Sequence, residues 1–195
     1  MLIGLTGSYC SGKDTVAEYL VKKRKFIHYS LSDVLREEMR TRGIKITREN
    51  LIRFGTDLRK KHGNSILAKK VLLKCPKEEN CVITSIRHQA EVMELRKRND
   101  FFMINVDAPA KMRFARMVKR NREEDPKTFE KFLEFEKKES QTKGPGQQVS
   151  RCMEMADITI QNDSKTTKYL FRKINLLLLK LQKGNIGKRS KKNES

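Results

Sequence analysis

The chain has 195 residues, enough for one compact domain with a real core, and an apolar share of 37% argues against global disorder. Lys and Arg number 44 against 24 Asp and Glu, a net charge of +20, so the surface favours polyanions: nucleotides, nucleic acid or acidic lipid. No purely apolar run exceeds four residues, Leu176-Leu177-Leu178-Leu179 among them, too short to cross a bilayer; no signal-peptide pattern opens the chain, and Cys10, Cys75, Cys81 and Cys152 form no C-x-x-C pair, so no zinc site or disulfide framework is expected. A reducing cytoplasm is the expected setting. In chain order the pattern predicts strand Leu2 to Thr6, helix Thr15 to Lys23, strand Phe26 to Tyr29, and helices Asp33 to Arg42, Arg48 to Lys61 and Asn64 to Lys74. Strand Cys81 to Ile86, helix Glu91 to Lys97, strand Phe101 to Val106 and helices Lys111 to Arg120 and Thr128 to Glu139 follow. Thr142 to Gln148 reads as a loop, then come strand Asp157 to Gln161, helix Thr166 to Gln182 and, over residues 183–195, a basic tail of disordered composition. Strands alternating with helices predict an α/β fold: a five-stranded parallel sheet with helices on both faces. The strands are nearly uninterrupted apolar runs, as burial on both sides requires.

The strongest motif is Gly7-Ser8-Tyr9-Cys10-Ser11-Gly12-Lys13, which fits G-x-x-x-x-G-K between the first strand and the first helix. The glycines permit a tight turn whose N–H groups, with the helix N-terminus, cradle phosphates, and Lys13 can neutralise β- and γ-phosphate oxygens. Where the pattern wants Ser or Thr as a Mg²⁺ ligand, this chain has Asp14, followed by Thr15. A carboxylate is a hard oxygen donor that could hold Mg²⁺ directly or through water, with Thr15 contacting an earlier phosphate. Alternatively, Asp14 is simply a favourable charge in the first helical turn.

With these residues, the chain resembles the P-loop nucleoside monophosphate kinase superfamily over about residues 1 to 182. It looks most like the small archaeal and bacterial proteins called adenylate-kinase-like or dephospho-CoA-kinase-like, and the Gly-Lys-Asp-Thr loop resembles that of deoxynucleoside monophosphate kinases. The resemblance implies a three-layer P-loop NTPase fold with an acceptor-binding insertion over about 30–75 and a short lid over about 121–128. In Tyr29-Ser30-Leu31-Ser32-Asp33-Val34-Leu35-Arg36, it implies that Arg36 grips the acceptor phosphate, with Ser30 and Asp33 beside it. Ser30-x-x-Asp33 also reads as a capping box, and Arg36 as a surface ion-pair partner. In Val82-Ile83-Thr84-Ser85-Ile86-Arg87, Arg87 matches a second acceptor arginine, whereas Thr84 stands where relatives carry an acid that orders Mg²⁺. Asp14, or Asp107 at the end of the next strand, is the expected replacement.

Arg113, Arg116 and Arg120 share one helix face, with Arg122 just beyond. The resemblance implies that Arg116 and Arg120 close over the transferring phosphoryl group; a basic solvent face or an RNA-facing stripe is the other reading. Asn162, after the last strand, is placed by the same resemblance at the base pocket of ATP, and His88, next to Arg87 in the chain, is expected near the acceptor. The expected activity is Mg²⁺-dependent transfer of the ATP γ-phosphoryl group to a nucleoside or deoxynucleoside monophosphate, or else to dephospho-CoA. The expectation from another class is an ATPase switch associated with RNA or ribosomes. Small nucleotides are the expected partners, with weak contact to RNA or an acidic partner through the tail, no membrane, and a monomer or small homo-oligomer.

Overall fold

The computed structural model describes residues 1–122, 125–140, 146–164 and 166–184. Its elements are β1 (Leu2–Thr6), α1 (Lys13–Arg24), β2 (Ile27–Ser30), α2 (Leu31–Thr41), α3 (Arg48–His62), α4 (Ile66–Lys74), β3 (Cys81–Thr84), α5 (Gln89–Leu95) and β4 (Phe101–Asp107). The chain continues through α6 (Ala110–Arg120), α7 (Phe129–Ser140), α8 (Val149–Glu154), β5 (Ile158–Gln161) and α9 (Thr167–Gln182). The five strands form one parallel sheet in the order β2-β3-β1-β4-β5, with Leu2 opposite both Cys81 and Phe101. This is the predicted architecture, a sheet with helices on both faces. Residues 123 and 124 of the expected lid, 142–145 of the expected loop and 185–195 of the expected tail lie outside the described residues.

The alternation of β1 assigns its side chains to two cores. Leu2 packs with Val34, Leu35, Leu67 and Val71 from α2 and α4. Ile3 and Leu5 pack with Val16 and Leu20 of α1 and Leu170 and Ile174 of α9. β4 divides likewise, Met103 facing the first core and Ile104 and Val106 the second. β1 and β3 are buried throughout and β4 over Met103 to Val106; β2 and β5, which the apolar-run argument also treats as buried, are edges with exposed Ile27 and Ile158. Every open sheet leaves two such edges, and run composition does not reveal strand order.

One element departs from the sequence reading. α8 is a short helix within the stretch between the expected loop and last strand, and its Cys152 is fully buried in the first core. The predicted capping box at Ser30 is also corrected: Ser30 does cap α2, but its hydroxyl donates to Ser85 Oγ (2.9 Å) and makes no capping bond. A reciprocal capping box occurs at α5 instead, between His88 and Glu91. His88 is thus a buried helix cap. Among the described residues, no helix is long and apolar enough to cross a membrane.

Candidate functional site

Two glycines shape the turn between β1 and α1. Gly7 sits at φ 147°, and a Cβ there would strike the Val106 carbonyl of β4. Gly12 caps α1 at φ 104°, and a Cβ there would strike the Asn162 amide. Ser11 N–H donates to Ser8 O (3.2 Å), and Lys13 Nζ lies 3.4 Å from the same carbonyl. Ser11 O receives two donors, Asn162 Nδ2 (2.8 Å) and Arg116 Nη1 (3.2 Å). Ser11 is fully buried, yet its hydroxyl has no hydrogen-bond partner among the described residues. Buried polar atoms are rarely left so. A turn whose glycines keep side chains out, with the Lys13 ammonium beside it and the start of α1 behind it, fits a chain of phosphate oxygens.

The metal candidates begin α1. Asp14 is exposed and makes no hydrogen bond or ion pair among the described residues, and Thr15 is half-buried beside it. No group of three or more His, Cys, Asp or Glu that could hold a metal comes together among the described residues. One carboxylate completed by phosphate oxygens and water is the usual surrounding of Mg²⁺, so Asp14 fits that ion as it stands. At the end of β3, Thr84 is buried and its Oγ1 lies 2.7 Å from His28 Nε2 of β2. Asp107, at the end of β4, accepts from Ser8 Oγ at 3.4 Å.

Beside the loop opens a cavity of about 500 Å³. Among the described residues, Arg36 of α2, Arg48 and Arg59 of α3, Arg87 after β3 and Arg122 line it, together with the Asp125 carboxylate. Leu31, Leu35, Leu51 and Leu67 supply an apolar wall. A smaller cavity of about 50 Å³ lies against Gly7 and Lys13, and the two share Tyr9, Ser85 and Arg87. Arg36 and Arg87, from distant parts of the chain, are thus brought to one cavity that adjoins the phosphate loop. Arg87 Nη1 donates to Gln147 Oε1 (2.7 Å), and Arg36 pairs with Asp33 one turn before it (2.7 Å). Ser30 and Asp33 themselves do not line the cavity.

The arginines of α6 diverge. Arg116 braces two carbonyls, Ser11 O and Asn162 O (2.8 Å), and burial lowers its pKa. Asn162 is buried with its amide turned to the loop. Arg113, also buried, donates to Ala108 O (2.7 Å) and pairs with Glu136 of α7. Arg120 pairs with Asp125 (2.9 Å) and bonds the Tyr9 hydroxyl, which donates to Asp125 Oδ1 (2.6 Å). Burial works to raise the Asp125 pKa, but the bonds from Tyr9 and Arg120 outweigh it and hold the carboxyl below its ordinary range. Burial raises the Cys10 thiol, against the pull of Arg120 and Lys13.

Sequence reasoning missed Arg48, Arg59 and Asp125. Arg59 is 4% exposed and donates through Nε (3.1 Å) and Nη2 (2.8 Å) to the fully buried Glu91. The other Glu91 oxygen accepts the Arg87 and His88 amides, at 2.9 and 3.0 Å. Nothing in the local sequence announces a pair 32 positions apart. Arg48 had a signal: Thr47 caps α3, accepting from Asn50 N (3.1 Å), which fixes the first helical residue at the cavity rim.

The sheet order and the phosphate loop define a P-loop protein with a kinase-like α/β fold. A family model described as an AAA domain matches residues 3–144. The UPF0200/UPF0201 protein of Archaeoglobus fulgidus is 33% identical over 188 residues, which cover 93% of this chain and 56% of that one, so the chain spans little more than half of that relative. The UPF0200 protein of Pyrococcus abyssi is 34% identical over 188 residues, covering 93% of this chain and 97% of that one. The chain belongs to the AAA-domain family of P-loop proteins and to the UPF0200 proteins. Among solved structures, shikimate kinase from Aquifex aeolicus is 18% identical, with 96% of this chain and 100% of that chain covered and a TM-score of 0.57, a likeness of fold alone.

Proposed function

We propose that this protein is an ATP-dependent phosphotransferase that moves the γ-phosphoryl group to a small phosphorylated acceptor, foremost a nucleoside or deoxynucleoside monophosphate. The observation that carries the reading is the arginine-lined cavity of about 500 Å³, which shares Tyr9, Ser85 and Arg87 with the small cavity at the phosphate loop. The amides of residues 7–13 and Lys13 hold the triphosphate. Asp14 and Thr15 hold Mg²⁺, which when bound neutralises phosphate charge. Arg36 and Arg87 grip the acceptor phosphate, a task suited to the planar guanidinium fork. Arg120 lies beside the transfer point, and Arg116 with Asn162 steadies the loop from behind. Residues 30–75 form the acceptor-binding part and 121–128 the lid. Positioning and charge neutralisation carry such a reaction, since the protein itself forms no covalent bond. A reducing compartment such as the cytoplasm suits its four free thiols.

The test is a panel of acceptors, each NMP, dNMP and dephospho-CoA, incubated with MgATP while ADP and phosphorylated acceptor are measured. Turnover on one acceptor well above the water background supports the kinase. A second reading, an ATPase switch acting with RNA, is favoured by Thr84, which replaces an acid at the end of β3, and by the charge of +20. Acceptor-independent hydrolysis stimulated by RNA would establish that reading instead.

A further inference from the structure

Tyr9 is a bulky residue in a turn otherwise made of small ones. The turn binds phosphates through its backbone, so this side chain is not required for that task. Its ring lies 5.3 Å from that of Phe135 on α7. The Arg48 guanidinium covers both rings, 5.4 Å from Tyr9 and 4.3 Å from Phe135, and Arg120 lies 4.9 Å from the Tyr9 ring. The hydroxyl is held by Asp125 and Arg120. Contacts from α3, α6, α7 and Asp125 therefore fix one side chain that borders both the cavity at the loop and the larger one beside it.

Phosphoryl transfer between two such compartments has one competitor, water. Acceptor oxygen and water attack the same phosphorus, so the outcome depends on which one reaches it. We infer that the Tyr9 ring is the partition that keeps bulk water from the transfer point and thereby directs the phosphoryl group to the acceptor. This rests on the function proposed above. In the productive path an acceptor oxygen bonds to the γ-phosphorus as its bond to the bridging oxygen breaks, and ADP leaves with that electron pair. In the leak, water makes the same displacement, and inorganic phosphate and a proton are released. Tyr9 touches neither bond and acts as a positioning residue.

The experiment compares wild type, Tyr9→Phe and Tyr9→Ala with MgATP and an acceptor from the panel, measuring inorganic phosphate and phosphorylated acceptor separately. Melting curves establish that each variant is folded, and Tyr9→Leu replaces Tyr9→Ala if the latter is not. Tyr9→Ala is expected to raise the ratio of phosphate to phosphorylated acceptor about tenfold, while Tyr9→Phe, which keeps the ring, stays within about threefold of wild type. With acceptor omitted, Tyr9→Ala should hydrolyse ATP about tenfold faster than wild type. A folded Tyr9→Ala with the wild-type ratio and wild-type acceptor-free hydrolysis overturns the inference, as does a Tyr9→Phe that leaks equally. If the wild type phosphorylates no acceptor at all, the proposed function fails, and the acceptor-free rates still decide the role of Tyr9.

Discussion

The phosphate loop and the cavity beside it differ in how far along the chain their parts come from. Gly7 to Lys13 is one uninterrupted stretch shaped by backbone conformation, with side chains excluded at two positive-φ glycines. The cavity collects side chains from α2, α3 and α4, the turn after β3 and residues 122, 125 and 147. Its corner is tied by a buried ion pair, Arg59 with Glu91, that also holds the Arg87 and His88 amides. A backbone site tolerates changes elsewhere, whereas a side-chain site depends on distant packing.

That contrast can be broken most forcefully at Glu91. Glu91→Gln leaves the Arg59 charge buried without a counter-charge, which should cost about 3–5 kcal/mol in a urea unfolding experiment. Acceptor binding should be lost with it, while triphosphate binding to the remaining folded fraction, followed by calorimetry, should change little. Lys13→Ala attacks the other side of the comparison. Turnover should fall by roughly 10²–10³-fold with weaker triphosphate affinity and an unchanged melting temperature. Unchanged affinity and turnover would remove the loop from the mechanism altogether.

Arg87→Ala and Arg36→Ala sharpen the comparison. Each removes a charge-assisted hydrogen bond and should lower kcat/KM for the acceptor by about 10–100-fold, with ATP affinity unchanged. Arg36 already pairs with an exposed Asp33, so its effect should be the smaller of the two. Ser11→Ala gives a smaller effect: removing a buried hydroxyl that has no partner among the described residues should raise stability by about 1 kcal/mol in urea unfolding.

The smallest expected effect lies away from both regions. The hydrogen bond from Arg98, with the N-terminal amine, holds Asp100 at about 2. A folded-state value below the unfolded one near 4 means that its stabilising contribution is present above pH 4 and lost as pH falls towards 2. Asp100→Asn should therefore flatten the acid limb of the stability profile in that window and leave the loop and the cavity unaffected.

The same contrast governs what could be read in advance. The five strands and the P-loop are legible because apolar runs, glycine spacing and the following helix are local signals. Arg36 and Arg87 were found through a family pattern, and the cavity does bring them together. The Arg59–Glu91 pair, the Asp125 latch on Arg120 and the short helix α8 were not legible. Glu91 lies 32 positions from Arg59, the Asp125–Arg120 pair is completed by Tyr9, 116 positions from Asp125, and α8 depends on burial of one cysteine at a place where composition suggests only a connection. The arginine stripe of α6 shows the limit most plainly. Shared helical spacing placed three guanidinium groups on one face, yet Arg113 reaches Glu136, Arg116 two backbone carbonyls, and Arg120 Asp125 and Tyr9.

The two donors on Ser11 O have an effect on the opposite side of the same peptide bond. Because that bond is planar and trans, a carbonyl drawn outward by Asn162 and Arg116 turns the Gly12 amide inward. On the proposed function, the amide is fixed before a triphosphate arrives, and little backbone ordering remains to oppose its binding.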